Sequence, residues 1–390
     1  MKNFIYNANT KVYFGVDEEK KIGEILKEFG AHKILIHYGK NSVLKSGLLN
    51  RVIEALKENN LAFVELGGVE ANPKLSLVEK GIELVRSEQV DFLLAIGGGS
   101  VIDSAKSIAA GALVDHSPWL FSTHEKTLNQ ALPLGVILTL AASGSDMSDS
   151  CVITNEKTQE KRGFNSPLNR PKFAILNPEL TYTVSPYQTA CGIVDIMMHT
   201  LERFISKKER IEPTDSLAIG LLKSVYQAGE IVMKNPADYE SRATLLWANS
   251  LSHNGLTSCG REFVMSVHQL EHEVSGMFDY VAHGAGLAVL WPAWAKFAYP
   301  KAMTQFQRLS YEVLDIPKTD SPENDVLKGI EKLKAFFKKI GMPTTLNELN
   351  IGEEDIKKLA LNVTFNHTRI IHDVIEIDEA MALKIYREAL

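Results

Sequence analysis

The sequence predicts an α/β domain with a parallel sheet over residues 1–183 and an all-α domain over residues 184–390. In the first 180 residues, β-rich runs alternate with helical patterns, which is the order that builds parallel sheets through right-handed crossovers. After about Pro186, apolar residues recur at helical spacing and strand-like alternation disappears. Asn177-Pro178 and Ser185-Pro186 mark the junction, with no low-complexity linker between the halves.

The first half contains five predicted strands, three of which are followed by a predicted helix. The three pairs are KILIHYG with SVLKSGLLNRVIEALKENN, LAFVELG with SLVEKGIELVRSEQ, and VDFLLAIGGGS with VIDSAKSIAAGALV. The other two strands are PLGVILTLA and KFAILNP. The long helices predicted in the second half are TACGIVDIMMHTLERFIS, DSLAIGLLKSVYQAGEIVMKN, YESRATLLWANSLSHNGL and DVLKGIEKLKAFFKKIG. A cleft between the two domains is the expected ligand site.

Composition limits the classes of function. The 390 residues are 45% hydrophobic and 23% charged, as in an ordinary globular protein. The formal net charge of -6, without a basic patch, gives no reason to expect a nucleic acid or an anionic membrane as a partner. The N-terminal segment lacks the apolar region of a signal peptide, and the three cysteines form no CxxC pair, so we expect a cytoplasmic location.

Four residues of the second half predict one metal site. Asp195 and His199 lie four positions apart in an apolar helical segment, so both side chains leave one helix face. His268 and His283 follow in SVHQLEHEVSGMFDYVAHGAG. Aspartate with three histidines suits Fe(II) or Zn(II) and suits calcium poorly. The alternative is that these are ordinary helix residues. An aspartate and a histidine four positions apart, taken alone, are more often a surface or structural pair than metal ligands.

Geometry requires a helix break between His268 and His283. One unbroken helix would separate them by roughly 22 Å, because each residue adds about 1.5 Å. Gly276 is the predicted end of the helix, since glycine tolerates the left-handed conformation common at helix C-termini. His272, one turn from His268, then lies near the ion without necessarily binding it.

The segment AIGGGSVIDSAK predicts a strand, a glycine turn and the start of a helix. Gly97, Gly98 and Gly99 would let a ligand approach the backbone, and Ser100 with Asp103 would form a capping box. Bare amides at a helix N-terminus attract phosphate. The spacing matches neither GxGxxG nor GxxxxGK[ST], so a plain tight connection between strand and helix is the alternative.

A second polar cluster follows the strand PLGVILTLA. Its hydroxyl groups could bond a phosphate, a ribose or a carboxamide, and they belong to Thr139, Ser143, Ser145 and Ser148. The alternative is a loop whose serines satisfy its own turns.

Several ordered segments carry a resemblance along nearly the whole chain. They are TKVYFG, ILIHYGKNSVLKSGLLNRV, VEANPKLSLVEKG, AIGGGSVIDSAKSIAAG, ILTLAASGSDMS, CVITNEKTQEKRGF, the Asp195 and His199 pair, and HQLEHEVSGMFDYVAHGAGLAVLWP. Together they resemble the iron-dependent, or group III, alcohol dehydrogenase family and within it the butanol dehydrogenase branch.

The resemblance implies a Rossmann-like N-terminal domain that binds a nicotinamide dinucleotide and a helical C-terminal metal-binding domain, in a dehydroquinate synthase-like architecture. It implies metal ligation by Asp195, His199, His268 and His283, and a proton relay at His272. A homodimer is also expected. By this match and by the loops above, the candidate dinucleotide-binding residues are Gly39, Lys40, Asn41, Ser42, Asn72, Gly97, Gly98, Gly99, Ser100, Asp103, Thr139, Ser143 and Lys161.

Several departures from the family pattern matter, among them Gln269 in place of a common proline, and Ser143 and Asp146 in place of the commoner threonine and glutamate. The loop that often holds a run of glycines reads Gly39-Lys40-Asn41-Ser42 here. With no acid for a ribose 2′-hydroxyl and with Lys40 able to pair with a 2′-phosphate, NADP(H) is favoured over NAD(H). The C-terminal segment LNVTFNHTRIIHDVIEID also departs, and His367 and His372 in it are expected to be surface or structural residues.

The predicted activity is reversible hydride transfer between NADP(H) or NAD(H) and a small primary alcohol or aldehyde such as butanol or butanal. A glycerol-type polyol dehydrogenase and a lyase of the dehydroquinate synthase type are the alternatives. A lyase pocket would be rich in Lys, Arg and Asn, whereas the metal segments here are flanked by Met198, Met265, Met277, Phe278 and Trp291. A non-enzymatic sensor would need a missing ligand or a blocked loop, and the sequence shows neither.

Overall fold

The computed structural model describes residues 1–207 and 210–390, which divide into two compact units. One unit is Asn7–Val184, and the other is Ser185–Leu390 together with Met1–Tyr6. The division lies one residue from the predicted boundary. Residues 1–6 were predicted to belong to the N-terminal domain but belong to the helical unit. Lys2 N donates a hydrogen bond of 2.8 Å to Gly260 O of that unit.

The N-terminal unit contains eight strands. Six of them form one sheet in which every neighbouring pair is parallel, as predicted. The bounds are Lys11–Phe14 (β1), Lys33–Gly39 (β2), Ala62–Val69 (β3), Phe92–Gly97 (β4), Leu134–Leu138 (β5), Ser150–Asn155 (β6), Glu160–Asn165 (β7) and Phe173–Leu176 (β8). The order across the sheet is β3, β2, β4, β5, β8, β1. All five predicted strands lie in it, whereas the antiparallel hairpin of β6 and β7 was not predicted.

The three predicted helices of this unit are present, the first of them in two parts, and the short helices Ile22–Glu28 and Trp119–Ser122 were not predicted. Their bounds are Ile22–Glu28 (α1), Ser42–Lys45 (α2), Leu48–Glu58 (α3), Leu75–Ser87 (α4), Gly99–Gly111 (α5) and Trp119–Ser122 (α6). The single helix predicted after β2 is divided into α2 and α3, because Gly47 adopts a left-handed conformation with φ of 70°. Glycine enters this region without the steric penalty of other residues.

The helical unit holds nine α-helices and one short antiparallel ladder in the part of the chain that the structure describes. The helices are Pro186–Phe204 (α7), Glu212–Val232 (α8), Tyr239–His253 (α9), Ser266–Met277 (α10), His283–Ala298 (α11), Met303–Arg308 (α12), Pro322–Lys339 (α13), Glu353–Val363 (α14) and Glu379–Glu388 (α15). The ladder pairs Ile371–His372 (β9) with Glu376–Ile377 (β10). Its two-residue strands are too short to give an alternating pattern in the sequence.

Helix α7 is the centre of the helical unit. Every residue from Thr189 to Phe204 is buried, so no face of that stretch is exposed to solvent. Helix α11 is buried continuously from Gly284 to Ala295. Polar side chains on these two helices therefore need partners inside the protein.

No helix within residues 1–207 and 210–390 combines the length and the apolar content that are needed to cross a lipid bilayer.

The sheet packs one aromatic ring directly over a glycine. Gly135 of β5 pairs in register with Phe173 of β8, whose side chain is fully buried. A Cβ atom at position 135 would lie 2.1 Å from Cζ of Phe173. Residue 135 is therefore glycine because the ring occupies the space of any side chain.

We expect Gly135→Ala to destabilise the protein by about 1–3 kcal/mol, the usual effect of overpacking a core. Urea denaturation measures it. Gly220→Ala is the matched control, since a Cβ there meets no atom within 4 Å on the exposed face of α8. Adding Phe173→Leu to Gly135→Ala should recover part of the loss, and strictly additive effects would contradict the assigned contact.

Candidate active site

Helix α7 supplies the first two candidate metal ligands. The helix begins after Ser185, whose side chain accepts a hydrogen bond of 3.2 Å from Gln188 N. Asp195 and His199 lie one turn apart on it and are each only 4% exposed. Both side chains are therefore held inside the unit rather than on a solvated face.

The predicted break between His268 and His283 is present, but Gly276 does not form it. Helix α10 continues through Gly276 to Met277, and Phe278 ends it in an extended conformation with φ of -122° and ψ of 79°. Gly276 is not in the left-handed region, so the prediction of a glycine cap there is wrong. Hydrogen bonds of 2.8 Å from Phe278 N to Val274 O and from Val281 N to Phe278 O close the turn.

The break brings the four predicted ligands together. Asp195 Oδ1 lies 3.3 Å from His199 Nδ1, 3.5 Å from His268 Nε2 and 3.8 Å from His283 Nε2. The rings of His268 and His283 have centroids 5.2 Å apart. The contacts that bend the chain after Met277 thus place His283 at the first position of α11, beside residues of two other helices.

Three of these ligand atoms are buried without hydrogen bonds. Within residues 1–207 and 210–390, no partner satisfies Asp195 Oδ1, His199 Nδ1 or His268 Nε2. Such atoms are rare in folded proteins, because a buried polar group without a partner costs about 1–3 kcal/mol. Oxygen and nitrogen donors that converge in this way fit a divalent metal ion.

The protonation of the histidines also bears on the site. Burial, followed by the neighbouring His253 and His268, holds the pKa of His199 well below its usual value, so this ring stays neutral. Burial opposes the charged form of His268 too, but the charge of Glu202 and a contact with Asp195 outweigh it and raise the pKa of His268 to about 9. A metal ion would have to displace that proton.

Two buried glutamates contact the histidines and were missed in the sequence. Glu202 accepts a hydrogen bond from Nδ1 of His268, and Glu271 accepts one from Nδ1 of His283. Their side chains are 1% and 0% exposed. The available signal was the spacing His-x-x-Glu in HTLE and HQLE, which places each glutamate on the same helix face as a histidine.

His272 and His253 lie near this cluster. The His272 ring centroid is 5.5 Å from that of His283, and His272 groups with Glu271 and His283 within 4.8 Å. His253 at the end of α9 was not predicted, and its ring centroid lies 4.1 Å from that of His199. Nothing in the local sequence distinguished His253 from a surface histidine.

His367 and His372 lie on the surface, as expected. Their side chains are each 66% exposed, and they pair with Glu379 and Glu376.

The predicted dinucleotide loops follow three adjacent strands. β2 ends at Gly39, β4 at Gly97 and β5 at Leu138, and β2 pairs with β4, which pairs with β5. Carboxyl ends of parallel strands share one edge of a sheet, which is the usual ligand edge of such folds. The candidates at this edge include Lys40 and Asn41 before α2, Ser42 at its start, and Gly98, Gly99, Ser100 and Thr139.

Glycine is required where the loops after β4 and β5 meet. Thr139 N donates a hydrogen bond of 3.1 Å to Gly97 O. A Cβ at Gly98 would lie 3.1 Å from Cβ of Leu140, and one at Gly99 would lie 2.2 Å from Oγ of Ser143. Side chains at these positions would separate the loops.

The predicted capping box of Ser100 and Asp103 is wrong. Gly98 is the N-cap of α5, so Ser100 already lies within the first turn, and the helix has no side-chain cap. The Asp103 carboxylate instead accepts hydrogen bonds from Ser145 Oγ at 2.5 Å and from Val152 N at 3.0 Å. Burial, opposed by Lys106, raises the pKa of Asp103.

Lys106 is a fully buried cation beneath the serine-rich loop. Its Nζ donates to Ser145 Oγ at 2.8 Å, to Ser148 O at 3.0 Å and to Ser150 O at 2.8 Å. Ser148 Oγ accepts from Ser150 N at 2.8 Å. The hydroxyl group of Ser148 therefore serves the loop itself, as the alternative interpretation of this cluster expects, whereas the hydroxyl group of Ser145 joins the loop to Asp103 and Lys106 of α5.

The remaining candidates lie on separate elements. Asn72, which is buried, precedes α4 with a left-handed φ of 54° that asparagine tolerates. Lys161 lies in β7, in register with Thr154. Lys40 forms an ion pair with Glu70, so an acidic group does lie beside this loop, contrary to the premise behind the NADP(H) prediction.

Two of the five apolar residues that favoured a small alcohol belong to the core. Met198 and Trp291 are fully buried, so their apolar side chains contribute to core packing and give no information about a ligand. Met265, Met277 and Phe278 are partly exposed. The apolar character of a substrate pocket rests on these three.

Comparisons with known proteins cover both units. The family model for iron-containing alcohol dehydrogenase matches residues 9–178, and the model for the C-terminal part of the Fe-containing alcohol dehydrogenase family matches residues 189–390. NADH-dependent butanol dehydrogenase A of Clostridium acetobutylicum is 38% identical over 390 residues, with 100% of both chains covered. The NADPH-dependent aldehyde reductase YqhD of Escherichia coli is 33% identical over 362 residues, which are 92% of each chain.

A solved structure agrees with these matches. The crystal structure of NADH-dependent butanol dehydrogenase A from Thermotoga maritima superimposes with a TM-score of 0.96 at 36% identity, covering 100% of this chain and 99% of that one. The fold and the matches define a metal-dependent alcohol or aldehyde oxidoreductase. The chain belongs to the iron-containing alcohol dehydrogenase family. The expected fold class, enzyme class and resemblance to the butanol dehydrogenase branch are confirmed.

We expect Lys106→Met to reduce the free energy of unfolding by about 3 kcal/mol, because it removes a buried cation from Asp103 and from three oxygen acceptors. Chemical denaturation measures the loss. Lys80→Met on the exposed face of α4 is the control and should change stability by less than about 0.5 kcal/mol. Equal stability of the two variants would show that the Lys106 contacts do not hold this loop.

Proposed function

We propose that this protein transfers hydride between a nicotinamide dinucleotide and a small primary alcohol or aldehyde, with a divalent metal ion held by Asp195, His199, His268 and His283. One observation carries the proposal: Asp195 Oδ1, His199 Nδ1 and His268 Nε2 converge in the interior without hydrogen-bond partners among the residues described. When bound, the ion would act as a Lewis acid that lowers the pKa of the substrate alcohol.

The donor set suits both Fe(II) and Zn(II). The description of the family as iron-containing favours Fe(II). The aspartate contributes a negative charge that strengthens the binding of a dication, while the neutral ring of His199 offers a lone pair.

The N-terminal unit would bind the dinucleotide at the edge where β2, β4 and β5 end. The first amides of α5 are free of side-chain caps, and glycines at positions 97–99 keep the backbone accessible to a pyrophosphate. The fully buried Lys106 fixes the neighbouring serine-rich loop from below. These residues bind and orient the cofactor rather than take part in chemistry.

His272 would carry the alcohol proton. It lies one helical turn from His268 and is partly exposed, whereas His268 is 5% exposed. A histidine with this access can exchange protons with water near neutral pH.

The substrate class follows from relatives and from the partly exposed Met265, Met277 and Phe278. Relatives at 36–38% identity are named butanol dehydrogenases, and one at 33% is named an aldehyde reductase. Butanol and butanal are therefore the substrates to test first. These relatives do not favour the polyol dehydrogenase or the lyase. The homodimer and the cytoplasmic location stay predictions.

The contacts of Lys40 change which dinucleotide we expect the protein to prefer. Lys40 is paired with Glu70, and both side chains are about half exposed. The Glu70 carboxylate neutralises the lysine and would repel a 2′-phosphate, so the argument for NADP(H) loses its basis. Relatives at 36–38% identity are named NADH-dependent. We therefore propose NAD(H) as the preferred cofactor.

His268→Ala should abolish metal binding and turnover together. We expect the metal content after anaerobic purification to fall by more than about tenfold, since even residues that only support a ligand contribute that much. Elemental analysis and the butanal-dependent oxidation of NADH at 340 nm give the two readouts. His372→Ala, an exposed histidine of the same unit, should change neither. Full activity in a metal-free His268→Ala protein would overturn the assignment.

His272→Ala should keep its metal and lose rate. A group that transfers a proton typically contributes about 10²–10⁴-fold, so kcat should fall by that order near neutral pH. Steady-state kinetics against pH and elemental analysis of the same sample test this. Loss of metal from this variant would instead move His272 into the ligand set.

Glu70→Gln should improve the use of NADPH. Because exposed charge pairs contribute about 0.2–1 kcal/mol, we expect KM for NADPH to fall about two- to fivefold while KM for NADH stays constant. Lys40→Ala should raise KM for NADPH by a similar factor. A wild-type enzyme that strongly prefers NADPH would contradict the NAD(H) proposal.

A further inference from the structure

The two buried glutamates repeat one arrangement on two helices. Helix α7 carries His199 and Glu202, and helix α10 carries His268 and Glu271, each pair three residues apart. Residues at this spacing lie on one helix face. In each case the carboxylate contacts the candidate ligand that comes next along the chain: Glu202 contacts His268, and Glu271 contacts His283.

Glu202 is held at the start of α10. Besides Nδ1 of His268, it accepts hydrogen bonds from Val267 N at 2.7 Å and from His268 N at 3.3 Å. The first amides of a helix have no partner within the helix, so a carboxylate is stabilised there. These contacts fix the carboxylate and leave it aimed at the His268 ring.

Glu271 is enclosed between α10 and α11. A Cβ at Gly286 would lie 2.7 Å from Cγ of Glu271, so α11 approaches closely only because residue 286 is glycine. The Glu271 carboxylate then meets Nδ1 of His283 three residues earlier on α11. The close packing thus places the carboxylate against one nitrogen of that ring.

A carboxylate on Nδ1 determines what the other ring nitrogen can do. A neutral imidazole carries its proton on one nitrogen, and a strong acceptor at Nδ1 keeps the proton there. Nε2 then presents a lone pair, and the Nε2 atoms of His268 and His283 lie 3.5 and 3.8 Å from Asp195 Oδ1. The hydrogen bond also makes the imidazole a stronger donor to a metal.

We propose that Glu202 and Glu271 are positioning residues that orient His268 and His283 toward the metal ion. Helix α7 thus carries Asp195, His199 and the carboxylate that orients His268 on α10, and α10 carries His268 and the carboxylate that orients His283 on α11. This inference rests on the proposed metal site. Burying two carboxylates is unfavourable unless charged partners compensate, and a dication with its histidines provides that compensation.

The test compares metal binding by the wild type, Glu202→Gln and Glu271→Gln, with Co(II) added to metal-free protein as the probe. The substitution keeps the shape of the side chain and removes its charge. We expect each variant to bind Co(II) about 10- to 100-fold more weakly and to release it faster to a chelator. Asp325→Asn is the control, because Asp325 is a buried carboxylate of the same unit that bonds Thr319 and Tyr311.

Melting of the metal-free proteins separates positioning from general stability. A merely structural role would lower the melting temperature of the metal-free variants and leave the Co(II) dissociation constant at the wild-type value. That result would overturn the inference. Each glutamate serves a different histidine, so a variant that does not fold leaves the other variant as the test.

The outcomes also distinguish the two proposals. Absence of Co(II) binding by the wild type would refute the metal site itself. Tight binding by the wild type and unchanged binding by both glutamine variants would refute only the positioning role.

Discussion

The helical unit depends on the burial of α7 from Thr189 to Phe204. Because no face of residues 189–204 is exposed, each polar side chain on that stretch needs a partner in the interior. The Glu202 carboxylate accepts hydrogen bonds from the first amides of α10. Asp195 and His199 instead lie beside His268 and His283. The arrangement of α10 and α11 around α7 follows, since the chain must bend between Phe278 and Ala282 to bring His283 to the same point. The proposed metal ion would satisfy Asp195 Oδ1, His199 Nδ1 and His268 Nε2, which have no hydrogen-bond partner among the described residues.

The N-terminal unit also contains a buried charged group that is held by polar partners. Lys106 lies fully buried beneath the loop that follows β5, and three oxygens of that loop surround it. Above it, glycines at positions 98 and 99 let the loops after β4 and β5 approach to van der Waals distance. One unit therefore packs a buried ammonium group against its serine-rich loop, and the other packs buried carboxylates against two of the candidate metal ligands.

These features explain how one architecture accommodates relatives with different cofactors. Relatives named for NADH and for NADPH match this chain over at least 92% of its length. The buried networks around Lys106, Glu202 and Glu271 set the fold and the site, while Lys40 and Glu70 lie half exposed at the sheet edge. Exposed charges can change without disturbing the core, so the choice of cofactor can vary without a change in these buried networks.

The sequence by itself determined the elements whose apolar periodicity is clear, because that periodicity is local, whereas it missed β1, β6 and β7. It predicted five strands of the parallel sheet, the long helices, the group of Asp195, His199, His268 and His283, and the need for a helix break. Tertiary structure decided which group meets which. Helix α10 ends at Met277 rather than at Gly276. The Asp103 carboxylate accepts hydrogen bonds from Ser145 and Val152 rather than capping a helix, and Lys40 forms an ion pair with Glu70. Glu202 and His268 are 66 residues apart in the chain, and no local pattern encodes such a contact. The packing of helices around the buried part of α7 brings Glu202 and His268 together. A buried carboxylate needs a hydrogen-bond donor, and the tertiary structure decides which donor is within reach.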